Sequence, residues 1–210
     1  MSRTHTIWMG MAAVGLASIL STPRPAAGDD GWSLSGPLEI GFAFLTNLAI
    51  HESGHILVAQ GVGADKATFK FFGEDDGSFF LGLSTATGIP DESVLPYRLG
   101  GEIAASYTFE LALQSYRREP TTYNRALLFF SGTDFFWYTV FAFYLAPRED
   151  ARYDPVGIRE STGFSRGVVF AAAATQLATN AWRVASGTDA VAPSFSYDRE
   201  SALLNLTFRF

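Results

Sequence analysis

Between Leu38 and Val62 the chain carries only four ionisable groups, Glu39, His51, Glu52 and His55, in an otherwise apolar run. Pro37 stands at its start and Gly61 and Gly63 at its end, which predicts a helix over 37–61. At about 1.5 Å per residue, such a helix can cross a ~30 Å hydrocarbon layer or serve as a long buried core helix. Residues four apart on a helix share a face, so His51 and His55 can grip one ion. Zinc accepts imidazole nitrogen at about 2.0–2.1 Å and keeps one position open for water when its site is catalytic. Glu52 then lies beside that water, placed to take its proton. A lone histidine on an apolar face is ordinarily a satisfied core residue. Here, however, two of the three histidines in 210 residues fall in one HExxH pattern. Both sit where ionisable groups are costly without a task.

The ligands of such an ion must be histidine and carboxylate, because the chain has no cysteine. Charged residues make up 17% and hydrophobic ones 48%, with 19 phenylalanines, a balance that leans towards membrane contact. The net charge of −6 argues against a nucleic-acid partner. The length suits a single domain over 29–210, after an export signal or N-terminal anchor over 1–28. Arg3, the apolar run from Ile7 to Leu20 and the small-residue exit Pro25-Ala26-Ala27-Gly28 mark that segment and direct the chain to a bacterial cell envelope.

Downstream of the first helix, Ala67–Phe72 and Ser78–Leu83 are aromatic and β-branched around the turn Gly73-Glu74-Asp75-Asp76-Gly77, which predicts a β-hairpin. A second helix is expected over 97–118. Its start, Leu99-Gly100-Gly101-Glu102-Ile103-Ala104-Ala105-Ser106, is small enough for close helix approach, and Glu102 is acidic among apolar neighbours. A third helix is expected over 123–145. From Ala126 to Ala146 it holds a single ionisable residue, Asp134, the clearest candidate for a membrane span and for a carboxylate with a function inside one. Residues 147–162 read as a charged loop and 163–186 as an alanine-rich fourth helix. Ser194–Tyr197 with Leu203–Phe210 reads as a closing hairpin. The expected fold is mainly α: a bundle of about four largely apolar, membrane-embedded helices, with a small β-hairpin after the first helix and another at the C-terminus.

His51-Glu52-Ser53-Gly54-His55, followed by Ala59, Gly63, Phe69 and the Phe72-Gly73 step, resembles the site-2 protease family of intramembrane zinc metalloproteases. The resemblance spans roughly residues 38–146. It implies an aspartate on a later helix as third zinc ligand, and Asp134 stands in that place in chain order. Glu102 with Ala105 three residues on is similar to the gluzincin pattern, in which a glutamate on the second helix is the third ligand. The resemblances imply a zinc-dependent endopeptidase in or at a bacterial membrane, with Zn2+ on His51, His55 and Asp134 (Glu102 as the alternative) and Glu52 as general base. Its partners are then membrane lipid and a polypeptide substrate, itself a membrane protein in some cases. The alternatives are a soluble or peripheral periplasmic gluzincin-like peptidase, or a non-catalytic envelope protein that retains a metal-site helix.

Overall fold

The computed structural model describes residues 35–146, 149–189, 191–197 and 202–208. The export segment expected over 1–28 lies outside them. The described residues form α1 (Ser35–Gly61), β1 (Lys66–Asp75), β2 (Ser78–Thr87), α2 (Val94–Arg118), α3 (Thr122–Val140), α4 (Asp154–Thr162), α5 (Arg166–Ser186), β3 (Val191–Tyr197) and β4 (Ala202–Phe208). Mainly helical architecture with two antiparallel hairpins is therefore present, β1 with β2 and β3 with β4. Among the described residues the α-helices number five, where about four were expected.

Local chemistry explains the boundaries. Gly63 takes φ 83° just past α1, while Val62 N–H bonds to Val58 O and Ala64 N–H to Ala59 O, a glycine-dependent C-terminal stop. Thr121 and Ser165 accept from the Asn124 and Val168 N–H groups and so cap α3 and α5. The first hairpin turns at Asp76-Gly77, with φ 46° and 71°, the paired left-handed conformation of a two-residue hairpin turn. Gly73, Glu74 and Asp75, expected in the turn, instead pair with Phe80, Phe79 and Ser78. The expected charged loop over 147–162 is corrected in its second half. Pro155 sits in the first turn of α4, where its missing N–H costs nothing, and Gly163 closes the helix at φ 70°. Val156 and Ile158 of this short helix enter the main core with Leu99, Ile103, Phe135 and Phe141.

α1 packs against α2 through glycine. A Cβ at Gly54 would overlap the Gly100 carbonyl oxygen, and one at Gly100 would lie 2.8 Å from Gly54 O and 3.0 Å from His55 Cα. On the other side, α1 meets α3 through Ile40, Ala43 and Ala126, and through Phe44 against Phe130 at 5.4 Å. Alanine in a helix interior ordinarily gains about 1 kcal/mol over glycine. A backbone clash in a packed core costs typically 1–3 kcal/mol. Gly54→Ala is therefore expected to lower the thermal midpoint; an unchanged or raised midpoint would show that the two helices are free to separate.

Among the described residues, one helix, Thr122–Leu145, is long and apolar enough to cross a membrane, and half of its apolar window is buried. It comprises α3 and the π-helical turn Phe141–Leu145 that continues it. α1, whose length also suggested a span, does not meet that description.

Candidate metal centre

α1 turns His51 and His55 inward, both buried, with their Nε2 atoms 3.3 Å apart. The first turn of α4 brings Asp154 Oδ2 to 3.3 Å from His51 Nε2 and 3.0 Å from His55 Nε2. Three ligands of a tetrahedral ion at about 2.0–2.1 Å lie about 3.3–3.4 Å from one another. The three atoms thus form one face of such a tetrahedron, slightly compressed at the His55 edge.

The outer ring nitrogens orient the imidazoles. His55 Nδ1 is 2.7 Å from the Tyr97 carbonyl oxygen, an acceptor only, so Nδ1 carries the proton and donates. His51 Nδ1 is 2.8 Å from Asp134 Oδ2 and donates in the same way. In the neutral rings both Nε2 lone pairs then point at the Asp154 carboxylate, an acceptor cluster that is stable only around positive charge. When protons rather than an ion supply that charge, burial of Asp154 opposes its ionisation, yet the protonated His55 and His51 hold its carboxyl well below the usual carboxylate range. Gly101 of α2 faces the same point: a Cβ there would overlap His51 Nε2 and His55 Nε2. The donor set, its spacing and this side-chain-free approach fit a tetrahedral metal ion, zinc among them.

Glu52 is buried beside the two histidines. Ser84 of β2 holds it, donating to Glu52 Oε2 at 2.5 Å, with the Glu52 carbonyl oxygen 3.0 Å from the same hydroxyl. Gly82 leaves room for the carboxylate, which a Cβ there would overlap. A cavity of about 10 Å³, the size of one water, is lined by Glu52, His55 and Asp154 together with Arg98 and Tyr138, and Arg98 Nη1 lies 3.9 Å from Asp154 Oδ1. A larger cleft of about 600 Å³ reaches His51 and Glu52 between α1, α3 and β2. Phe44, Leu48, Phe79, Phe129, Phe130 and Trp137 give it an apolar wall.

His51, Glu52 and His55 are thus brought together as the spacing implied. Asp134, expected as third ligand, lies on the Nδ1 side of His51, away from His55. α3 packs along the outer flank of α1, so its carboxylate meets the back of the ring. Asp154 takes the position facing both Nε2 atoms. Glu102, the alternative, is fully buried and groups with His51 and Asp134, not with His55. Reading by sequence missed Asp154 because Glu149 and Asp150 stand just before it in a charged stretch. The available signal was Asp154-Pro155 ahead of apolar Val156, a helix start in which an aspartate is the first-turn residue. Tyr97, Ser84 and Gly101 were missed as well, since each acts only through a contact between distant elements. No family model, curated protein or solved structure matches this chain.

Proposed function

We propose that this protein is a zinc-dependent endopeptidase acting in or at a bacterial membrane. The observation that carries the proposal is the triangle of His51 Nε2, His55 Nε2 and Asp154 Oδ2, with Glu52 and a water-sized cavity at its side. A zinc ion held by these three residues would supply Lewis-acid chemistry, lowering the pKa of a water and polarising a carbonyl. Glu52 takes the proton of the attacking water and passes it to the departing amine, the Ser84 hydroxyl keeping the carboxylate in place for both transfers. Asp134 and the Tyr97 carbonyl hold the two imidazoles in the tautomer that presents Nε2 inward. Arg98 and Tyr138, which also line the small cavity, would offer donors to negative charge developing on the carbonyl oxygen.

Substrate enters by the apolar cleft, whose aromatic wall favours an uncharged, extended polypeptide segment. Among the described residues β2 pairs only with β1, leaving an edge beside Glu52 to which such a segment can add as a strand. Membrane placement is supported by Thr122–Leu145 and by large apolar residues exposed on neighbouring helices: Leu38, Phe42 and Leu57 of α1, and Tyr107 and Leu111 of α2. The test is metal analysis with a peptidase assay on the full chain in mild detergent. One equivalent of zinc, loss of cleavage of an apolar quenched-fluorescence peptide with a chelator and recovery on adding Zn2+ are expected. Protein that binds no zinc, or cleavage indifferent to the chelator, would overturn the proposal. A non-catalytic envelope protein is what zinc without any hydrolysis would indicate.

A further inference from the structure

Behind the His51 ring, Asp134 is joined by groups for which orienting the imidazole has no use. Asp134 Oδ2 sits 2.8 Å from His51 Nδ1, and Asn47 Nδ2 donates to Asp134 Oδ1 at 2.8 Å. Glu102, reaching in from α2, places a carboxylate oxygen within 4.8 Å of the ligand atoms of both His51 and Asp134. Its relative exposure is 0%, and neither of its oxygens has a hydrogen-bond partner. Asn47 Oδ1 is likewise buried without one. Among the described residues no lysine or arginine pairs with Asp134 or Glu102. A buried carboxylate without donors or a counter-charge is strongly disfavoured, so its persistence at this point calls for a positive occupant.

We propose that Asp134 and Glu102 hold a second cation, a divalent ion of the oxygen-preferring class represented by Mn2+, Mg2+ and Ca2+. Two carboxylate oxygens bound to one such ion at about 2.1–2.4 Å lie at most about 4.2–4.8 Å apart, which the Asp134–Glu102 grouping satisfies. Entry is open, since the Asp134 side chain is 21% exposed and forms part of the cleft wall. His51 keeps its Nδ1–H on Asp134 and serves only the first site through Nε2, so no imidazolate bridge is needed. This inference rests on the zinc reading only for that role of His51. Nitrogen-rich sites prefer zinc strongly over manganese, so the two ions sort between the two sites.

The experiment loads the full chain in detergent with one equivalent of Zn2+ and then titrates Mn2+, reading free Mn2+ by electron paramagnetic resonance. One further equivalent is expected for wild type and for Glu52→Gln, displaced by Mg2+ or Ca2+. Glu102→Gln is expected to lose it, and Asp134→Asn to weaken it at least tenfold, both with unchanged helical circular dichroism and with zinc still bound. Should Glu102→Gln fail to fold, Asp134→Asn alone decides. Wild type that takes up no Mn2+, Mg2+ or Ca2+ overturns the inference and leaves a proton on Glu102 as the occupant. Equal Mn2+ binding by the variants overturns it too, placing the ion elsewhere. Titration proceeds whether or not zinc binds: absence of zinc defeats the peptidase reading, while the Mn2+ result separately decides the second site.

Discussion

Replacing Asp154 with alanine is expected to empty the metal centre and abolish hydrolysis together. Asp154 is the carboxylate facing both Nε2 atoms, at 3.3 and 3.0 Å, and without it two imidazoles remain. Loss of a direct ligand should exceed the roughly 10–100-fold in affinity that a change behind a ligand costs. Asp134→Asn supplies that milder comparison, because Asp134 touches His51 only at Nδ1. Zinc affinity measured by competition with a chromophoric chelator should therefore fall far more for Asp154→Ala than for Asp134→Asn. The reverse order would make Asp134 the third ligand and Asp154 its support. Acid should weaken zinc binding in wild type as well, since each imidazole must be neutral to ligate and protons compete with the metal for its Nε2.

Glu52→Gln separates chemistry from metal binding. The amide is nearly isosteric, stays within reach of the Ser84 hydroxyl and removes only the ability to accept a proton. Zinc content should be unchanged while kcat/KM falls by roughly 10²–10⁴, the range that a positioned general base contributes. That corresponds to about 3–5 kcal/mol of barrier. Full peptidase activity in this variant would remove Glu52 from the mechanism. Loss of zinc along with activity would instead assign it a structural part in the centre.

Much of the helical framework was legible because its signals are local. The apolar run of α1, the turn signal across Gly73–Gly77 and the apolar run around Asp134 in α3 each announce an element without reference to the rest of the chain. α4 was not legible, since nine residues of mixed charge give too short a pattern for periodicity to outweigh the proline and glycine within it. The acid at its start went unassigned with it.

By itself, the sequence determined the pairing of His51 with His55 and the place of Glu52. These follow from the pitch of one helix, which sets residues four apart on one face whatever surrounds them. Which carboxylate completes the centre was decided only by tertiary structure. Asp154 lies 103 residues from His51, and it arrives because Val156 and Ile158 bury α4 in the main core. Asp134, closer in the chain, is carried by α3 to the wrong side of the ring. Rotation and contact of packed helices, which no local pattern encodes, make that choice.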